Sequence, residues 1–195
     1  AAQAVWSTEA YNPQALMTAY KSSSLIRRAI TMPAEDSCRE WREWQAEAVK
    51  ISAIEAEEKR LDVRGKVLAA RILARLFGGG AILIGTGESD PSKPLNPASL
   101  RVGGIKYLTV IARDQLTAQE IELDPLSPLY GTPKMWSVMS KATTNIHPSR
   151  VVVFHGIAPM TGNLMDATDG WGTSNLYGMM QPLTRVDEVM NNISS

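Results

Sequence analysis

Residues 75–90 read RLFGGGAILIGTGESD, with five glycines in sixteen positions. A glycine run beside an apolar stretch is either a loop whose amides cradle phosphate or the place where a helix stops and a strand begins. A dinucleotide fingerprint runs strand, G-x-G-x-x-G, helix, so that the pyrophosphate rests on the helix N-terminus. Here the order is inverted: VLAARILARLF (67–77) precedes the glycines and the continuous apolar run AILIG (81–85) follows them. The first reads as a helix and the second as a buried strand. Gly78 is then the residue just past a helix C-terminus, with positive φ, while Gly79 and Gly80 permit close backbone approach. Such a helix end presents carbonyls and the negative pole of the helix dipole, which repel phosphate. No G-K-[ST] follows either. The reading is structural, and no nucleotide or other cofactor is expected.

On the N-terminal side, Asn12 before Pro13 predicts a capped helix through about Lys21. A second helix is expected over Ser24 to Thr31, ending before Pro33 because the residue preceding proline avoids helical dihedrals. Residues 34–77 contain no proline and a single glycine, Gly65, and form the most helical stretch. Within it Trp41, Trp44, Ala48, Ile51 and Ile54 line one helical face, and Arg39, Glu40, Arg42 and Glu43 are spaced for opposed-charge pairs. Gly65 is expected to divide the stretch, leaving a buried helix over Val67 to Phe77.

On the C-terminal side, TGESDPSKPLNPAS (86–99) reads as a loop. Strands are expected at 105–113 (IKYLTVIAR), 134–141 (KMWSVMSK) and 150–156 (RVVVFHG). With 81–85 these make four strands in one small, mainly antiparallel sheet covered by the preceding helices. The class is α+β. One domain, 1–195, is expected, with an arm at 1–12, a helical part at 13–77, a sheet part at 78–160, and a loop leading into a helix at 161–195.

Twenty basic and twenty acidic side chains give zero net charge, so no global basic field draws in DNA or an anionic membrane. Cys38 is the single cysteine, which excludes an internal disulfide and a cysteine-based zinc site. It reads as an unreactive thiol. No apolar run approaches the roughly 20 residues of a membrane span, so no membrane partner is expected. The start, AAQAVWSTEAYNP, has neither a basic n-region nor an apolar h-region and is expected to be a processed or truncated end.

The search for chemistry centres on two histidines, His147 in NIHPSR and His155 in VFHG. His147-Pro148-Ser149 matches the H-x-S half of a two-histidine phosphoesterase, but His155 is followed by Gly156 and Ile157 and supplies no second half. The expectation is a turn in which His147 and Ser149 satisfy backbone groups. A metal held by the histidines would need Asp166 or Asp169, and nothing in the spacing argues for one. DGWGTSN (169–175) lacks the alternating ligands and final glutamate of a calcium loop, and no serine sits in a G-x-S-x-G elbow. No catalytic and no metal-binding residue is expected.

The segments SSLIRRAITMPAEDSCREWREWQ, ARLFGGGAILIG, DPLSPLYGTPKMW and IHPSRVVVFHG, in this order, resemble the portal proteins of tailed bacteriophages over about residues 10 to 190. The resemblance implies a structural, non-enzymatic subunit of a homo-oligomeric ring of twelve copies at one capsid vertex, assembled in the host cytoplasm and carried in the virion. Its implied partners are the terminase, the major capsid protein and head-tail adaptor proteins, with double-stranded DNA passing through without sequence-specific contact. Arg39, Trp41, Arg42 and Trp44, with the loop from Glu88 to Ser99, are the candidates for a subunit interface. The region resembling GWGTSNLYGMMQPLTRVDEVM leads in such portals to a stem, so this chain is similar to the wing half. The alternative is a phosphoesterase-type anti-defence enzyme or its partner domain, since some chains of this subgroup resemble an N-terminal partner to such an activity.

Overall fold

The computed structural model describes residues 11–45, 47–139, 143–158 and 170–179. Among these residues four helices come first: α1 (Pro13–Ser22), α2 (Ser24–Ser37), α3 (Ala48–Leu61) and α4 (Val63–Phe77). Six strands follow: β1 (Gly79–Gly85), β2 (Tyr107–Ala112), β3 (Leu116–Ile121), β4 (Pro133–Met139), β5 (Thr143–Ile146) and β6 (Val151–His155). The class is α+β with antiparallel pairing, as expected. The four expected strands, however, divide between two three-stranded sheets, ordered β2-β1-β6 and β3-β4-β5. Two strands went unforeseen: LTAQEI (116–121) has no clean alternation, and TTNI (143–146) is only four residues long. A short 3₁₀ turn at Arg113–Gln115 separates β2 from β3 and carries the chain from one sheet to the other.

α1 begins as expected: Asn12 caps it, its side chain accepting from the Ala15 amide at 3.0 Å. α2 does not end before Pro33 but runs through it to Ser37. Proline inside a helix removes the hydrogen bond to the carbonyl four residues back, here that of Ala29. Arg75 of α4 supplies the missing donor. Its Nη2 donates to Ala29 O at 3.2 Å and its Nε to Ile30 O at 3.0 Å. A neighbouring helix thus answers a carbonyl that the proline would otherwise orphan. Arg75→Met should cost about 1–3 kcal/mol, the range for stranding a partly buried carbonyl. Pro33→Ala, which restores the helix's own donor, should stabilise the Arg75→Met background more than the wild type. Urea denaturation of the four proteins measures this coupling, and additive effects would contradict it.

The long helical stretch is also broken differently. Residues 41–45, between α2 and α3, belong to no helix, so Trp41 and Trp44 share no helical face with Ile51 and Ile54. The division between α3 and α4 falls at Asp62, in the left-handed region at φ 50°. Gly65 lies inside the first turn of α4, where a Cβ would sit 2.4 Å from the Asp62 carboxylate. Its missing side chain makes room for the turn, and the turn itself occurs three residues earlier.

Two apolar clusters hold the domain. In the first, Leu16, Ile26, Ile30, Leu76, Phe77 and Leu176 bring α1, α2 and the end of α4 together. In the second, Ala81 and Ile111 of one sheet meet Leu116, Trp136 and Ile146 of the other, with Trp171 between them. Residues 1–10 of the expected arm at 1–12, and most of 161–195, lie outside the described residues.

Candidate functional site

The glycine run is a junction of three backbone segments. Gly78 has φ 84° and its N–H donates to Ala74 O at 2.8 Å, closing α4 as expected. The next carbonyls of α4 are taken in turn: Arg75 O by the Asn175 amide at 3.0 Å, Leu76 O by Ser174 Oγ at 2.6 Å, and Phe77 O by Arg113 Nη1 at 3.4 Å. All four carbonyls that a helix C-terminus leaves open therefore have donors. A Cβ on Gly79 would strike the Trp171 ring at 2.2 Å, and one on Gly80 would meet Ala70 O at 2.6 Å. Gly79 and Gly80 are strand residues paired with His155 and Phe154.

The H-x-S element is the second candidate. His147 caps a 3₁₀ turn at Pro148–Arg150: its Nδ1 accepts from the Ser149 amide at 3.2 Å and lies 2.8 Å from Ser149 Oγ. Ser149 Oγ in turn accepts from the Leu95 amide at 2.8 Å, and the His147 amide donates to Pro91 O at 3.0 Å. Nδ1 as acceptor leaves the proton of neutral His147 on Nε2. The next residue, Arg150, is 4% exposed. Its guanidinium donates to Lys93 O at 2.8 Å and Thr86 Oγ1 at 3.0 Å, and forms an ion pair with Glu88. The IHPSR segment therefore fastens the 86–95 loop. Asp90 in that loop accepts from the Ser92 hydroxyl and amide, which hold its carboxyl below the usual range.

The two histidines are not brought together. His155 is exposed at the far end of β6, near the Trp171 ring with centroids 6.5 Å apart, and the whole strand at about 3.3 Å per residue separates it from His147. Among the described residues no three His, Cys, Asp or Glu side chains converge as metal ligands. Asp166 and Asp169 lie outside the described residues. Cys38 is buried, its thiol 3.8 Å from Ser37 Oγ.

The proposed interface residues form a compact cluster of their own. The Arg42 guanidinium stacks over the rings of Trp41 and Trp44, 5.0 and 4.7 Å from their centroids, and pairs with Glu58 of α3. Trp41 Nε1 also donates to Glu58 at 3.3 Å. Arg39 pairs with Asp36, and its carbonyl accepts from Arg64 at 3.0 Å. At the other end of the helical layer, the Tyr11 phenol bonds Asp114 beneath the Arg113 guanidinium. Burial and that carboxylate raise its pKa above the ordinary tyrosine range. Sequence reasoning missed Arg150 and Arg75. The available signal was an arginine set directly against an apolar strand or inside an apolar helix, where only a hydrogen-bonded role is tolerated.

The family model for phage portal proteins matches residues 14–195. The chain belongs to the phage portal protein family. It is 39% identical over 180 residues, 90% of its length, to the Anti-CBASS protein Acb1 of Sphingomonas paeninsulae, and 36% identical over 188 residues, 94% of its length, to that of Caulobacter sp. strain RHG1. An uncharacterized protein of Haemophilus influenzae is 25% identical over 181 residues. The chain spans 29% and 30% of the length of the first two relatives and 39% of the third. These relatives overturn the expectation that the chain is not an enzyme: both of the more similar ones carry an anti-CBASS name and not that of a structural subunit. No helix among the described residues is long and apolar enough to cross a membrane.

Proposed function

We propose that this chain works within an anti-defence phosphoesterase that opens a cyclic nucleotide, with the portal-type fold as its framework. The observation that carries this reading is the identity to the two anti-CBASS proteins over nine-tenths or more of the chain. Opening the ring adds water across one P–O bond, leaving a phosphate monoester on one side and a ribose hydroxyl on the other. His147 Nδ1 is committed to its turn, and no second histidine faces it. The H-x-S element is therefore read as the clasp of the 86–95 loop. Incubation with a cyclic dinucleotide, followed by chromatography, tests the reading on the chain and on the longer Sphingomonas relative side by side. Linear product is expected from both proteins, and His147→Ala in this chain should lower stability without abolishing turnover. Failure of both proteins to open any cyclic nucleotide would overturn the proposal.

The family match supports a second reading, a virion component built into a portal ring. Under it the homo-oligomer of twelve copies, the terminase, capsid and adaptor partners and the DNA passage all follow, with Arg39, Trp41, Arg42 and Trp44 contributing to the subunit contact. Negative-stain imaging separates the readings, since rings with a central hole belong to the second.

A further inference from the structure

The zero net charge conceals a segregation. Residues 11–34 contain Lys21, Arg27 and Arg28 and no acid, and residues 63–87 contain Arg64, Lys66, Arg71 and Arg75 and no acid. None of these cations pairs with a carboxylate among the described residues. Arg75 ties the first half of α2 to the last half of α4 through the Ala29 and Ile30 carbonyls, so Arg28 and Arg71, both exposed, lie on adjoining helices. The same stretch of α2 exposes Leu25 and Met32, seven residues apart. Farther along the helix Glu35 and Asp36 are acidic, and Asp36 is held by Arg39.

The opposite composition lies at the β3–β4 hairpin. Residues 114–133 contain Asp114, Glu120, Glu122 and Asp124 and no base. Asp114 is occupied by Tyr11 and Glu122 faces Lys134 at 3.6 Å, while Glu120 and Asp124 are exposed. The loop between the strands carries Leu123, Leu126 and Leu129, all exposed, with Leu126 at 91%. This loop is nonetheless internally braced. Glu122 N donates to Thr132 O at 3.0 Å, Gly131 N to Glu122 O at 2.8 Å, Tyr130 N to Ser127 O at 3.1 Å, and Leu126 N to Asp124 Oδ1 at 2.9 Å. A braced loop that holds its leucines in water is preorganised for burial against something else, which removes part of the ordering cost of docking.

We propose that the β3–β4 hairpin tip of one copy docks on the basic, partly apolar α2–α4 face of a second copy. The two surfaces match in both respects. The tip is apolar and acidic, and the face offers Leu25, Arg28 and Met32 on α2 with Arg71 on the adjoining helix. Because the surfaces differ, the contact is heterologous and propagates from copy to copy, closing into a ring or extending as a filament according to the rotation it imposes. The proposal stands independently of the phosphoesterase reading.

Light scattering across a concentration series of the chain, at low and high salt, tests it. The mass should rise with concentration and the rise should weaken with salt, as expected for an interface steered by charge. Leu126→Asp, at a side chain 91% exposed, should weaken association roughly tenfold or more without moving the melting temperature. Arg28→Glu and Glu120→Lys should each weaken it, and together should recover part of the loss. A monomer at every concentration would overturn the proposal, and so would association that none of the variants changes. Binding of a DNA duplex through Arg28 and Arg71 by a chain that stays monomeric would also overturn it, assigning the face to a polyanion.

Discussion

Gly78→Val should lower the melting temperature by about 6–12 °C or more, or prevent folding. At φ 84° a β-branched residue carries a backbone penalty of roughly 1–2 kcal/mol. Its Cβ would also sit 2.4 Å from Gly172 O and 2.9 Å from Ser174 N, both backbone atoms that cannot swing aside. The two effects together place the loss at about 3 kcal/mol or more, a large share of the 5–15 kcal/mol that separates folded from unfolded chains. At this chain length each 1 kcal/mol moves the midpoint by about 2–4 °C. A thermal melt read by circular dichroism decides it, and a midpoint within 2–3 °C of wild type would show that the segment around Gly172 yields.

Trp136→Ala should cost about 3–5 kcal/mol, the range for deleting a buried aromatic side chain. Trp136 is 2% exposed and sits on β4, the central strand of the second sheet. Its ring lies 5.0 Å from that of Trp171 at 47°, and the pair joins Leu116 and Ile146 to Ala81 and Ile111 across the two sheets. Removing it empties the contact between the sheets. The expected result is a lowered urea midpoint and a loss of near-ultraviolet ellipticity. Trp41→Ala, which strips a half-buried ring from the Arg42 stack, should cost much less.

The glycine junction was legible in the sequence because its parts are local: a helix pattern, a residue that tolerates positive φ, and an apolar strand. The cap at Asn12 was legible for the same reason. Pro33 misled because its penalty is answered by Arg75, some forty residues away, and no local rule carries that information. Trp41 and Trp44 misled in another way. Their spacing fits a helix, but stacking on Arg42 and the bonds to Glu58 tie the segment to α3 outside any helix. The H-x-S turn was read correctly as a turn, while the role of Arg150 as the anchor of the 86–95 loop depends on Thr86, Glu88 and Lys93 arriving from elsewhere. The non-enzymatic expectation rested on the motifs of this stretch and on the resemblance to portal subunits, and relatives more than three times its length revised it.

The donors that close the end of α4 come late in the chain. Ser174 reaches Leu76 O across 98 residues of sequence, and Leu176, fully buried, completes the cluster around Leu16 and Ile30. During synthesis at about 5–20 residues per second, roughly 5–20 s elapse between the emergence of the helix and that of the residues that cap it. Throughout that interval the apolar side of α4 lacks its last covering, and the growing chain offers this surface to whichever chaperone or neighbouring nascent chain reaches it first.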